Sequence, residues 1–240
     1  SHWQCRKENV YLGHQRLSII DLSSSGSQPM ISWNKRFVIA FNGEIYNYKK
    51  LAKENKLLIN KNISSDTRLL IEIISLYGIK KAIQMVDGMF AFCIWDRKRN
   101  LFHLVRDRFG EKPLFYFLDS KKFIFGSEIK VIKKFLKNDN LKVNKKAFNY
   151  FFSLGYIPQN ITIYENIYKV SPSEILTIKN GAIIDKISYW NNYRPSTKTL
   201  MSIGEVKNSI ENSIEDMMVA DVEVGCFLSG GIDSSLVASV

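Results

Sequence analysis

Two short uninterrupted apolar runs, Val38-Ile39-Ala40-Phe41 and Phe90-Ala91-Phe92-Cys93-Ile94-Trp95, constrain the fold more than any other feature of the chain. Runs of this length, rich in β-formers, fit strands buried on both faces, because a half-exposed strand alternates apolar with polar residues. Such strands require a layer above and a layer below them. After the second run a polar break at 96–100 precedes Leu101-Phe102-His103-Leu104-Val105, which reads as a hairpin, and residues 113–118 and 122–125 continue the meander. Between these groups, residues 67–76 carry apolar side chains at helical spacing behind the capping candidates Ser65 and Asp66, and a second helix is expected near Lys50. Residues 128–136 and 144–154 turn helical again. Residues 173–178 and 182–189 then flank Asn180-Gly181, a favoured type I′ hairpin turn.

With 240 residues the chain can hold one substantial domain, or a complete domain and part of another. Hydrophobic residues make up 45% and charged residues 24%, which excludes the low-hydrophobicity signature of disorder. No apolar run approaches the roughly 18 residues that span a bilayer, and the first ten residues lack the apolar stretch of a signal peptide. The expected address is the cytoplasm. Cys5, Cys93 and Cys226 stand far apart without CxxC spacing, so neither a zinc site nor a disulfide framework is indicated and reduced thiols are expected. The formal charge of +11 comes from scattered lysines and arginines without interleaved aromatics. It reads as a solvated basic surface, with no nucleic-acid and no membrane partner.

The polar stretch from Asn191 through Pro195 to about 201 looks like a linker, after which Ser202 caps a helix running to about Met218. This divides the chain into a first domain at 1–190, a linker at 191–201 and the beginning of a second domain at 202–240. In the last segment the strand-like run 222–228 leads into Ser229-Gly230-Gly231-Ile232-Asp233-Ser234-Ser235, and a helix leaves it. Two glycines let successive N–H groups point into one concavity, and the helix start adds positive potential, a combination suited to phosphate oxygens. The loop is not a Walker A motif, since no Gly-Lys-Ser/Thr follows. A glycine-serine turn that merely joins a strand to a helix is the plainer alternative.

That loop resembles the pyrophosphate loop of N-type ATP pyrophosphatases. Upstream, Leu12-Gly13-His14-Gln15-Arg16-Leu17-Ser18-Ile19-Ile20-Asp21, Gln28-Pro29-Met30, Phe41-Asn42-Gly43-Glu44-Ile45-Tyr46-Asn47 and Ser65-Asp66-Thr67 are similar to blocks of the class II glutamine amidotransferase domain of asparagine synthetases. So are Gly88-Met89-Phe90-Ala91-Phe92, the run from Arg106 to Tyr116, and Gly126-Ser127-Glu128. The resemblance covers nearly the whole chain in the family's order.

It implies an α+β fold, a four-layer αββα sandwich of the N-terminal-nucleophile hydrolase type, followed by the start of an α/β adenine-nucleotide-binding domain. It also implies a glutamine site at Arg16, Leu17, Ser18, Ile19, Ile20, Asn42, Gly43, Glu44 and Asp66. The Arg16 guanidinium suits the α-carboxylate, and Asp66 offers a negative partner for the α-ammonium. Asn42 and the Gly43 N–H would form the oxyanion hole. Taken singly, Arg16 could be a surface residue, Asp66 a helix cap and Asn42-Gly43 a hairpin turn. The nucleotide site falls on Leu228, Ser229, Gly230, Gly231, Asp233 and Ser234. ATP is the implied co-substrate with Mg²⁺, and no protein metal ligands are expected. The implied reaction hydrolyses glutamine to ammonia and amidates aspartate through a β-aspartyl-adenylate. Glutamine, aspartate and ATP are the small-molecule partners, and a homodimer is left open. Gly110, Lys112 and Pro113 are expected to shape the interdomain face.

Two departures qualify the resemblance. The family nucleophile is an N-terminal cysteine whose α-amino group serves as base, whereas this sequence begins with Ser1, and Cys5 has the wrong neighbours and lies too close to Arg16. A truncated chain with negligible glutaminase activity and marginal stability is therefore expected. Arg68 stands where the family commonly has an acidic residue, an exchange that bears on pairing near Asp66. Two rival readings stay open: an amidotransferase acting on another acceptor carboxylate, and a non-catalytic glutamine-binding module.

Overall fold

The computed structural model describes residues 1–55, 63–119, 122–136, 141–158, 160–191 and 201–240, so that most of the linker expected at 191–201 lies outside the described residues. In chain order, β1 (His2–Cys5), β2 (Val10–Gly13), β3 (Met30–Ile31) and β4 (Phe37–Ile45) precede helices α1 (Tyr48–Glu54), α2 (Asp66–Tyr77) and α3 (Ile79–Met85). Strands β5 (Gly88–Asp96), β6 (Leu101–Arg106), β7 (Phe115–Leu118) and β8 (Phe123–Gly126) follow, then α4 (Ile129–Phe135) and α5 (Lys145–Leu154). The described chain closes with β9 (Ile167–Lys169), β10 (Glu174–Lys179), β11 (Ala182–Ser188), α6 (Ile203–Met217) and α7 (Ile232–Ala238).

The two apolar runs are the neighbouring central strands β4 and β5 of a six-stranded antiparallel sheet ordered β11-β10-β6-β5-β4-β3. Side chains alternate across a strand, so each run divides between two cores. Ile39, Phe41, Phe90, Phe92 and Ile94 face α1, α2 and α3, whose Leu69, Leu70, Ile73 and Ile83 complete the first core. Val38, Ala91, Cys93 and Trp95 face the other way and meet Leu114, Tyr116 and Val170 beside the three-stranded sheet β8-β7-β9. Outside that smaller sheet Phe117 and Ile167 pack on Ile132 of α4. Helices, sheet, sheet and helix thus stack as four layers, as the resemblance implied. The β1–β2 hairpin, which the sequence did not signal, packs Val10 and Leu12 at the edge of the inter-sheet core, with the Trp3 and Trp95 ring centroids 5.2 Å apart.

Local chemistry sets the element ends. Ser65 accepts from the Arg68 N–H as N-cap of α2, Asn144 caps α5, and Ser202 with Glu205 forms a capping box on α6. The Arg68 side chain turns away from Asp66 to an ion pair with Glu72 at 2.9 Å and to the Ile31 carbonyl. Residues 222–228, expected as a strand, are exposed and outside regular structure, with Phe227 fully exposed. A strand exists by pairing, and among the described residues none pairs with this run.

Arg106 and Asp107 govern the passage from the large sheet to the small one. The buried Asp107 carboxylate accepts from five backbone N–H groups, those of Phe90, Phe109, Gly110, Glu111 and Lys112, at 2.6–3.2 Å. Arg106 donates to the carbonyls of Gly110, Lys112 and Val170 at 2.5–2.8 Å. The contacts of Gly110 and Lys112 therefore lie within this junction. Asp107→Ala leaves the buried Phe90 N–H and several part-buried N–H groups without this acceptor and is expected to lower the unfolding free energy by about 3 kcal/mol. Lys80→Ala on the α3 surface should change it by less than about 0.5 kcal/mol. Urea denaturation of the two variants checks this.

Candidate functional site

A cavity of about 1270 Å³ opens beside the middle of β4 and runs on between the two sheets. The loop after β2 brings Arg16, Leu17, Ile19 and Ile20 to it, β4 brings Asn42, Gly43 and Glu44, and the start of α2 brings Asp66. Ser18 is exposed and does not line the cavity, and Leu17 is largely exposed. Five sequence segments far apart in the chain thus converge, since Lys112, and Ser127 with Glu128, complete the rim.

Asn42 and Gly43 are not a hairpin turn: β4 continues through them to Ile45, and they pair with Ala91 and Phe90 of β5. The Asn42 Nδ2 lies 3.5 Å from the Ser127 Oγ. Glycine is required at position 43 because φ is +154° and a Cβ there would overlap the Met89 carbonyl oxygen and the Phe90 Cα. Nor is Asp66 the cap of α2, a role filled by Ser65. Its buried carboxylate accepts from the N–H groups of Ile45 at 3.1 Å and Thr67 at 2.6 Å. Burial pushes the Asp66 carboxyl up to about 6, with the Glu44 charge adding to the rise and the N–H donors opposing it. Glu44 is itself raised by burial, with Lys112 pulling the other way.

Arg16 is half-buried rather than a surface residue. Its guanidinium donates to the main-chain carbonyls of Ile20 at 2.7 Å, Ser23 at 3.1 Å and Asp21. It lies flat against Gly26, where any Cβ would strike it. The loop supplying those carbonyls is tightened by the Asp21 carboxylate, which accepts from Ser23 N, Ser23 Oγ and Ser25 Oγ at 2.5–3.0 Å. Burial works to raise that carboxyl, but these donors outweigh it and hold it at about 2.

Two residues given no role by sequence reasoning stand behind the site. Gln28 is buried and crosslinks it, accepting from the Phe41 N–H at 2.6 Å and donating to the Thr67 hydroxyl at 3.3 Å. His14 places Nε2 2.9 Å from the Phe41 carbonyl, which makes Nε2 the protonated nitrogen and leaves the buried Nδ1 as an acceptor with no hydrogen-bond partner among the described residues. Burial lowers the His14 pKa, and the chain's N-terminus and Arg16 lower it further against the Phe41 bond. Its signal was membership of the Gly13-His14-Gln15-Arg16 block.

The second predicted site is separate: none of its residues lines the cavity. Gly230 takes φ +81°, the Ser229 and Ser234 hydroxyls are 2.9 Å apart, and the Gly231 N–H points to Ser229 Oγ at 3.4 Å. Asp233 lies in the first turn of α7, and Leu228 is exposed. The serine-glycine turn is thus exposed and leads into a helix start, a form that fits phosphate oxygens. Among the described residues, no group of three or more His, Cys, Asp or Glu side chains is placed to hold a metal ion. No helix among them is long and apolar enough to cross a membrane.

Comparison with known proteins agrees with this geometry. The family model described as a glutamine amidotransferase domain matches residues 1–190, and one described as asparagine synthase matches residues 205–240. The chain is 36% identical over 252 residues to a Methanocaldococcus jannaschii protein named, provisionally, asparagine synthetase (glutamine-hydrolysing) 2, covering 97% of this chain and 48% of that one. It is also 36% identical over 236 residues to asparagine synthetase (glutamine-hydrolysing) 1 of Bacillus subtilis, covering 97% of this chain and 37% of that protein. The chain therefore spans about half the length, or less, of these curated relatives. Among solved structures it resembles the glutamine phosphoribosylpyrophosphate amidotransferase of B. subtilis complexed with ADP and GMP, with a TM-score of 0.51 at 18% identity over 94% of this chain and 48% of that one. At that identity the likeness concerns the fold.

Two outcomes follow from the site's geometry. Gly43→Ala forces β4 away from β5 and is expected to cost about 1–3 kcal/mol in chemical denaturation. Asp66 binds its proton more tightly folded than unfolded, between the ordinary 3.8 and about 6. Its contribution to stability is full below about pH 4 and is lost as the pH rises through 6, a change on the order of 3 kcal/mol. Thermal unfolding of Asp66→Asn against the parent from pH 4 to 7 should show a flatter profile in the variant.

Proposed function

Because the chain belongs to the glutamine amidotransferase family, we propose that its cavity binds free glutamine and that the whole protein is a glutamine-dependent asparagine synthetase. The observation that carries this reading is the convergence of Arg16, Asn42, Gly43, Glu44 and Asp66 on one cavity. Glutamine presents a carboxylate, an ammonium and a carboxamide, and the cavity offers a partner for each. Arg16 spends three of its five N–H groups on main-chain carbonyls, leaving Nε–H and one Nη1–H, which point apart, as candidate donors of a single bond to the α-carboxylate. Those carbonyls also fix the guanidinium before ligand arrives, which lowers the ordering cost of binding. Asp66, and Glu44 beside it, suit the α-ammonium, and a bound cation would draw the Asp66 proton off below pH 6.

In the hydrolytic step a nucleophile adds to the carboxamide carbon and the carbonyl oxygen takes the negative charge. As the adduct collapses, the proton given up by the nucleophile passes to the nitrogen and ammonia leaves; water then releases glutamate from the nucleophile. Asn42 Nδ2 and the Gly43 N–H are the donors proposed for that oxygen. None of this chain's thiols is set up as the nucleophile. Cys5 sits in the β1–β2 hairpin, burial raises the Cys93 thiol well above its ordinary range, and Cys226 lies exposed in the 222–228 segment. We assign this 240-residue polypeptide the recognition part of the reaction and negligible glutamate release of its own.

Residues 1–190 form the amidotransferase domain in this reading, 191–201 the linker, and 202–240 the opening of the synthetase domain. Leu228, Ser229, Gly230, Gly231, Asp233 and Ser234 would hold the phosphates of ATP, whose Mg²⁺ travels with the nucleotide. The aspartate β-carboxylate would attack the α-phosphorus of ATP to give an adenylate and release pyrophosphate, and ammonia would then displace AMP. The cytoplasm is the proposed location.

Isothermal calorimetry of the chain with glutamine tests the reading. Glutamine should bind, and Arg16→Ala or Asp66→Asn should each weaken it at least tenfold, about 1.4 kcal/mol. Absence of binding, or binding indifferent to both changes, would refute it. A coupled glutamate assay should show negligible turnover, unchanged by Cys5→Ala.

A further inference from the structure

The segment that leads to the Ser229–Ser234 turn is tied to the cradle of Arg16. The Asp221 N–H donates to the Ile19 carbonyl at 2.9 Å, and the Asp221 carboxylate accepts from the Asp21 N–H at 2.7 Å. Two residues earlier, Val219 packs on the helix-side core together with Ile19. Docking therefore combines an apolar contact with two reciprocal hydrogen bonds, across 200 positions of sequence. These are among the few contacts that residues 201–240, largely exposed, make with the rest of the fold.

The place of attachment matters more than its strength. Asp21 has φ +56°, the left-handed region, which Asp enters when its side chain bonds locally, as here to Ser23 and Ser25. Its N–H goes to Asp221 and its carbonyl accepts from Arg16 Nη2. A left-handed residue persists when its surroundings over-determine it. Here the Asp21 side chain is satisfied by Ser23 and Ser25, and Asp221 fixes the remaining backbone donor. Two of the three carbonyls that hold Arg16, at Ile20 and Asp21, belong to the peptide units immediately around that attachment.

We infer that Asp221 is a positioning residue for the glutamine cavity: through the Asp21 backbone it holds the Arg16 guanidinium in place. It thereby makes glutamine affinity respond to the segment carrying the phosphate-binding turn, eight positions further on at Ser229. The inference rests on the reading of the cavity as a glutamine site. Any displacement of residues 219–221 moves the Asp21 peptide, and with it two of the acceptors that orient Arg16. Asp221 itself does not line the cavity.

Nuclear magnetic resonance of the ¹⁵N-labelled chain, with calorimetry on the same samples, separates the possibilities. In Asp221→Ala, Asp21 amide exchange should accelerate, the Arg16 Nε–H resonance should shift, and glutamine affinity should fall about fivefold, the lower end of measured couplings. Asp221→Asn keeps an acceptor oxygen and should restore most of each readout, whereas a merely structural loss would not discriminate between the two variants. If Asp221→Ala leaves the Asp21 exchange and the Arg16 resonance as in the parent, the inference is overturned, whatever glutamine does. If the parent binds no glutamine yet Arg16 responds to Asp221, the coupling stands and the glutamine reading fails. Global unfolding of both variants would equally overturn it, since Asp221 would then be a stability residue.

Discussion

The buried carboxylate of Asp107 is the constraint on which the rest of the arrangement depends. Five backbone N–H groups converge on it, one from β5 and four from the loop that leaves β6 for the small sheet. A carboxylate this deeply buried is tolerable because its acceptor capacity is filled by main-chain donors. The neighbouring Arg106 performs the complementary task for carbonyls of the same loop and of Val170. Together they fix where one sheet ends and the next begins, and hence how wide the space between them is. Phe90, whose N–H Asp107 holds, is the cross-strand partner of Gly43. The structural anchor and the proposed oxyanion donors are thus one strand apart, and Lys112 reaches the cavity from the same loop.

The cavity's charges suit the zwitterion proposed to bind there. Arg16 enters from one loop with its guanidinium already oriented by carbonyls, while burial raises the proton affinity of both Asp66 and Glu44, and the Glu44 charge adds to the rise at Asp66. A neighbouring ammonium group would oppose that rise. The crosslink through Gln28, from the β4 backbone to Thr67 at the start of α2, keeps the strand and the helix that carry these groups in register.

Much of the fold was legible because its signals are local. The runs at β4 and β5, the Asn180-Gly181 turn between β10 and β11, and the caps Ser65 and Ser202 are each written in a few adjacent residues. The candidate site was legible through motif blocks, which identify residues without saying what surrounds them. Hence Arg16 could be chosen while its three carbonyl partners could not, and Asn42-Gly43 could pass for a turn although they lie mid-strand. Gln28 and His14 show the same limit, since a buried polar group declares itself through partners distant in sequence, and no periodicity records them. The β1–β2 hairpin escaped because four-residue strands carrying His, Gln and Tyr offer no run to read.

Residues 201–240 invert the relation. Here the patterns are as clear as in the first domain, with an apolar stripe of Val206, Ile210 and Met217 on α6 and a strand-like run at 222–228, yet these side chains are exposed. Amphipathic patterning states which face of an element needs covering and leaves open what covers it, and a strand in addition needs a neighbour to bond. Where the covering layers lie within the described residues, as for β4 and β5, pattern and structure coincide. Where they do not, order depends on point attachments. The Asp221 pair is such an attachment, and it lands on the left-handed Asp21 rather than on a rigid strand. A bond of modest strength placed on a residue whose conformation must be held can govern geometry that a stronger contact on the core would leave untouched.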